Sequence, residues 1–429
     1  MSLRHSPVAS LELEVTAGGL ADRPAVAELT AGLVAQGAAS KHGRTGEFAR
    51  KVAALGAELA VDVEPALTRY RLTVPADQLI AAVGALGAMV EHRGLRATTY
   101  HSLRSRALSA ARSRAGDDPS WLCRETLQRS LLGAGKATSR RATLGTYSEL
   151  SRVRHAHCNQ FYATHYRGDR TRLLIATSHP AEHVVKAAEA AFGRYPKSSS
   201  APVAPTGPPP QIEGQPIYLV NHSNAPRSTV ALGWVTPVVT PATLPALQVL
   251  VAALAATLRQ PSSTAGQPAS PMSPPEVSLL ALPENRFLLV VSTTAPRAST
   301  LQSAAALAAR LTAFVQAPVP PEQVTVLRRQ LRTRLAVAAD HPETLLRRAG
   351  ELLALGGKPD DWLRLPARVA SLTPGAVDRL RTSLSPPAVM VVVGDAAEVG
   401  PQLTGIGTVR VVNGRAGFGT VKTLPATQK

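Results

Sequence analysis

The chain has 429 residues, 45% of them hydrophobic but only 4% aromatic, with a formal charge of +18. That length suits two large domains, and cores poor in aromatics must be built from Ala, Leu and Val, which favours helices packed closely on sheets. The charge favours acidic partners, but the arginines are scattered without interleaved aromatics, which disfavours nucleic acid, and two cysteines, Cys123 and Cys158, exclude a disulfide framework.

In chain order, the alternating "VASLELEVTAGG" predicts a half-buried strand, and "AVAELTAGLVAQG", Ala25 to Gly37, the opening turns of a buried helix. "GEFARKVAALGAELAVDVEPALTRYRLTV" continues as helix, strand and strand. A long basic helix, "TYHSLRSRALSAARSR", then meets "AGDDPSWLCRETLQRSLLGAGK", where an acidic turn and Pro119 open another helix. "YSELSRVRHAHCNQFYATHY" leads to the strand "TRLLIATS" and the helix "PAEHVVKAAEAAFGRY".

The second half repeats this order. It opens with the strand "STVALGWV" and an Ala/Leu-rich helix, and "PEQVTVLRRQLRTRLAVA" meets "ADHPETLLRRAGELLALGGK", where Pro342 takes the place of Pro119. "VASLTPGAVDRLRTSL" then leads to the strand "AVMVVVGD" and a shorter helix. A shared offset across several elements implies duplication. Between the halves, Pro196 to Pro216 is rich in Pro, Ser and Gly and reads as an extended linker; Gln260 to Glu276 reads as a long surface loop. The expected domains are 1–200 and 216–429, joined by a linker at 201–215. The fold class is α+β: two homologous α/β sandwich domains, each a mainly antiparallel sheet with helices on one face, together half of a clamshell.

Three small constellations invite chemistry. In "RHAHC", His155, His157 and Cys158 do not share a helix face and have no evident fourth ligand. Ser102, Ser105 and Ser109 lack the glycine-flanked elbow of a hydrolase nucleophile. "GGLADRP" and "LGGKPDD" have no phosphate-loop frame and read as turns and helix ends. Glu28 reads as an exposed first-turn glutamate at the positive end of its helix, with burial beside a partner as the alternative.

The order of elements in two linked halves resembles the pitrilysin-like metallopeptidase family, which includes insulinase and mitochondrial processing peptidase, over nearly the whole chain. In that family the first helix carries the inverted zinc motif H-x-x-E-H. Aligned back from Gly37, its two histidines and glutamate fall on Glu28, Gly32 and Ala31. No histidine lies between His5 and His42, so no shift of register restores an imidazole. The family's distal glutamate ligand falls at Ala111 or a neighbour, in a helix with no acid between Glu91 and Asp117. The family's Arg and Tyr pair, which binds the substrate carbonyl, falls on Arg259 and Gly266, and no tyrosine follows Tyr218. Arg259 then reads as a helix-end arginine, with a remnant of substrate binding as the other possibility.

The resemblance thus implies a member without catalytic residues, metal or cofactor. The expected role is a non-catalytic subunit paired with a homologous zinc-bearing peptidase chain in a heterodimer, supplying chamber walls, stability and a peptide-binding surface. The rival is a structural core subunit of a larger membrane-associated assembly. The start "MSLRHSPVAS" carries no targeting pattern. The chain as given is expected in the cytoplasm, or in the periplasm or mitochondrial matrix if a targeting segment precedes it.

Overall fold

The structure, a computed structural model, describes residues 6–23, 25–37, 46–91, 95–132, 145–197, 217–260, 272–282, 284–339, 341–358, 360–384, 389–415 and 418–427. The expected linker at 201–215, with both domain limits beside it, lies outside these, as do Gly266 and most of the expected loop after Gln260.

The first half runs β1 (Val8–Val15), α1 (Val26–Ala35), α2 (Glu47–Ala54), β2 (Ala60–Val63), β3 (Thr68–Pro75), α3 (Leu79–Glu91), α4 (Ala97–Asp117), α5 (Pro119–Leu132), α6 (Tyr147–Ser151), α7 (His155–His165), β4 (Thr171–Ala176) and α8 (Ala181–Phe192). The second begins β5 (Ile217–Asn221), β6 (Arg227–Val235), α9 (Leu244–Arg259), β7 (Glu276–Leu282), β8 (Arg286–Pro296), α10 (Thr300–Gln316), α11 (Pro321–Ala339) and α12 (Pro342–Ala354). It ends with α13 (Asp361–Ala370), α14 (Pro374–Thr382), β9 (Val389–Gly394), α15 (Ala396–Leu403), β10 (Val409–Val412) and β11 (Thr420–Leu424).

The sheets carry the duplication. The first is ordered β2-β3-β1-β4, and the second contains β7-β8-β6-β9, the same order in the corresponding strands, extended by β5, β10 and β11. Pairing is antiparallel except where β5 joins β9 and β10. Pro119 and Pro342 are the first residues of α5 and α12, where a missing N–H costs nothing.

Period-2 alternation sends each strand's side chains to two faces. In β1, Ala9, Leu11, Leu13 and Val15 pack with Val26, Leu33, Leu86 and Phe161 from the helices of the same half. In β6, Val230, Leu232 and Trp234 pack with Leu250, Leu254 and Leu307 of α9 and α10. Within each half, then, the helices gather on one main face. The opposite face of each sheet is covered by a single helix from the other half. Leu122, Cys123, Leu127 and Leu131 of α5 lie on Ala231, Val389, Val391 and Val393 of the second sheet. Leu346 and Ala349 of α12 lie on Leu174 and Ala176 of the first. Two glycines permit the close approach: a Cβ on Gly233 would sit 3.0 Å from Leu127, and one on Gly350 would sit 2.6 Å from the Glu14 carboxylate.

This exchange corrects one reading of the sequence. The polar side of β1 faces α12 and not water, so Glu12 and Glu14 are 1% and 0% exposed. It also accounts for β9, buried at all six positions because helices cover both its faces.

Leu127 is fully buried in an exchanged helix. Leu127→Ala should cost about 2–5 kcal/mol, read as a lower denaturant midpoint. Amide protection should fall both in α5 and in strands β6 and β9 of the other half.

Candidate functional site

Helix α1 packs between α4 and α7. Its entry is strained: Ala25 adopts φ 66°, in the left-handed region that suits glycine, and offers no side-chain cap. Beneath it, the Tyr70 and Tyr166 hydroxyls are 2.6 Å apart, and the Tyr70 hydroxyl lies 3.4 Å from the Ala31 carbonyl. Burial pushes both phenols up, so they stay neutral donors and acceptors in the floor of the helix.

Glu28, Ala31 and Gly32 all lie on α1. Glu28 Oε1 is 3.9 Å from Nη2 of Arg114 on α4, whose guanidinium stands over the Trp121 ring. The glutamate is not the freely exposed first-turn residue the sequence suggested. Its side chain is 31% exposed, Oε2 is buried without a hydrogen-bond partner, and burial raises its pKa against the pull of Arg114. Ala31 is fully buried, and Gly32 faces Leu103 of α4, whose methyls would lie 3.6 Å from an added Cβ. Ala111 is buried in α4. A shallow groove of about 320 Å³ runs between the helices, lined by Glu28, Leu29, Gly32, Leu103, Arg106 and Ala110. It has two walls only, and Arg114 already answers its single acid.

Zinc does not fit these residues. A site of the H-x-x-E-H type needs two imidazoles one turn apart and a third protein ligand, whereas the four positions offer one carboxylate, itself held against a guanidinium. Among the described residues, no group of three His, Cys, Asp or Glu could hold a metal ion.

The "RHAHC" residues diverge. His155 Nε2 lies 2.6 Å from the Leu95 carbonyl, while His157 accepts the Arg154 amide through Nδ1 and lies 3.2 Å from Arg23. Cys158 is buried, and burial pushes its thiol up to about 11. Ser102 bonds the carbonyl one turn back in its own helix. Arg259 ends α9 and is exposed, but the carbonyls there are taken by Arg310 of α10, which donates to Thr257, Leu258 and Gln260. That cap comes from another helix and left no local signal in the sequence. His165, on α7 against Phe161, was also not singled out; burial and then Arg170 hold its pKa down to about 4.

Gly32→Ala fits and adds helix propensity, and Ala25→Gly relieves the left-handed entry, so each should raise the unfolding free energy by about 1 kcal/mol, measured by denaturant titration. His165 folds neutral, with a pKa below its ordinary 6.5. Its contribution is complete above that value and declines as pH falls toward about 4. His165→Gln should flatten acid destabilisation in that window, followed by thermal melting.

The middle of the chain, residues 153–331, matches the family model described as the peptidase M16 inactive domain. No curated protein matches the sequence. Among solved structures, a peptidase M16 inactive domain from Pseudomonas fluorescens superposes with TM-score 0.77 at 14% identity, covering 92% of this chain and 94% of that one. A protease from Helicobacter pylori gives 0.73 at 13% identity over 91% and 95%. The periplasmic protease PqqL from Escherichia coli gives 0.69 at 14% identity, over 92% of this chain but 44% of its own. The chain thus has the M16 peptidase fold along its length, and its residues 153–331 match the inactive-domain model of that family.

Proposed function

We propose that this chain is a catalytically inactive pitrilysin-like subunit that pairs with a zinc-bearing homologue, contributing chamber walls, stability and a surface for peptide. The observation that carries the reading is the seam between α1 and α4. Glu28 is engaged by Arg114, Gly32 lies against Leu103, and Ala31 and Ala111 are buried without a donor atom. A metallopeptidase would need its ligands and its base on these two helices. Here the same surfaces are joined by packing and one ion pair. The match to an inactive domain, over residues 153–331 and so beyond α1 and α4, supports the likeness to the family.

The charge of +18 supports an acidic partner or an acidic chamber content. Association should then weaken from low to high salt, since screening shortens the reach of exposed charges.

Isolation from the native source at low salt, with mass spectrometry of co-purifying chains and zinc measured on the same sample, tests the pairing. A near-stoichiometric homologue carrying H-x-x-E-H, with zinc following that chain, is expected. Recovery with membrane components and no zinc would replace the reading with a structural subunit of a membrane-associated assembly. The inactivity has its own test. The variant Glu28→His, Ala31→Glu, Gly32→His should cleave no peptide with zinc supplied, because Ala111 still offers no third ligand and a glutamate at position 31 enters a fully buried site. Zinc-dependent turnover by that variant would sink the claim.

A further inference from the structure

Beneath the exchanged helix α12, the first sheet carries charges where the second carries leucine and valine. Glu12 and Glu14 project from the same face of β1, and Arg69 of β3 reaches both, with Nε 3.0 Å from Glu12 Oε1 and 3.2 Å from Glu14 Oε1. The side chains of all three are sealed, at 1%, 1% and 9% exposure. Gly350 closes the site from above, since its missing Cβ leaves just enough room for the Glu14 and Glu12 carboxylates. Both Glu12 oxygens and Glu14 Oε2 are buried without a well-formed hydrogen bond.

Within this trio, two carboxylates and one guanidinium leave one negative charge unbalanced at a position sealed from bulk solvent. A single proton held by the carboxylate pair makes the trio neutral and supplies the missing donor. We propose that this seam is a proton-operated latch: α12 docks firmly on the first sheet while Glu12 and Glu14 share one proton, and the docking loosens when that proton leaves.

The surrounding groups offset the charge of the pair only in part, Arg172 reaching Glu14 and not Glu12. From β3, Arg71 binds Asp62 of β2 and lies 3.7 Å from Glu343 of α12. From β4, Arg172 lies 3.9 Å from Glu14 at a partly exposed position. Glu64, which follows β2, also binds Arg69 and so competes with the pair for the one buried guanidinium. On α12, Glu351 takes Arg347 and Arg348 as its partners and adds negative potential at Glu64.

The direction follows from linkage. Burial above all, with Glu14 adding and Arg69 and Arg71 opposing, lifts the Glu12 carboxyl from 4.5 to about 7. With α12 undocked, the polar face of β1 meets water and the carboxyl returns toward its ordinary value. The docked state therefore binds more protons between those two values, so docking weakens as pH rises through the window and levels off above about 7. Across the whole window the docking constant changes by up to roughly 300-fold, and by about 30-fold between about pH 5.5 and about pH 8. His165 titrates with the opposite sign, so a global melting temperature mixes the two effects. The test must read α12 itself.

Hydrogen exchange of the full chain by mass spectrometry, corrected for the intrinsic pH dependence of amide exchange, provides that reading. Protection within Leu345–Leu352 should fall by about an order of magnitude or more from about pH 5.5 to about pH 8, with no parallel loss in β6. Glu12→Gln mimics the protonated partner, so it should keep α12 protected at both pH values. A purely structural ion pair predicts the reverse, with protection lower than the native chain at either pH. Glu14→Gln, the other half of the pair, should behave as Glu12→Gln does. Equal protection of native α12 at the two pH values overturns the latch whether or not either variant folds. So does a glutamine variant that retains the native pH dependence.

Discussion

The structure depends on a mutual loan of helices. Each sheet has its own helices on one face only, and its second face is covered by the equivalent helix of the other half, α5 on the second sheet and α12 on the first. Burying apolar surface contributes on the order of 25 cal/mol for each Å² removed from water, and in each half the second face is covered by the other half's helix. The bare backbone at Gly233 and Gly350 is the local condition for the approach, since a side chain at either position would meet the opposing layer at 3.0 Å or less. The relation between the halves is therefore not that of two beads on a linker. Each half contributes to the other's core.

The duplication was legible because its marks are local. A proline at a helix start, an acidic turn before it and a run of alternating apolar residues can all be read within a short window, and the order of the paired strands bears them out. The destination of α5 and α12 was not legible. Leu122, Leu127 and Leu131 announce an apolar face but do not say which sheet it covers. For the same reason "LELEV" suggested a strand with one wet side, when its glutamates lie under a helix that begins at Pro342. At the candidate site, the absence of imidazole could be read from residue identity alone. That Glu28 meets Arg114, and that Arg310 rather than Arg259 serves the end of α9, needed the fold, because both pairs join distant helices.

The α1–α4 seam is a packed helix contact with a single acid in it. Small residues bring the helices together, one ion pair spans them, and the remaining shallow groove has two walls. Strain remains at Ala25, the entry to the helix, where no present contact explains a left-handed alanine. Strained positions of this kind are where stabilising substitutions are most readily found.

The order of synthesis gives the loan of helices a consequence in time. The ribosome releases the first half before α12 exists, and until residue 354 has emerged the charged face of β1 stays in water, where Glu12 and Glu14 are cheaply solvated. Helix α5, by contrast, emerges with Leu122, Leu127 and Leu131, meets Ala231 of β6 early in the second half, and is fully covered only once β9, which ends at Gly394, is made. The nascent chain therefore carries an incompletely covered apolar helix through the making of most of its second half. That helix is the segment a folding chaperone would meet first.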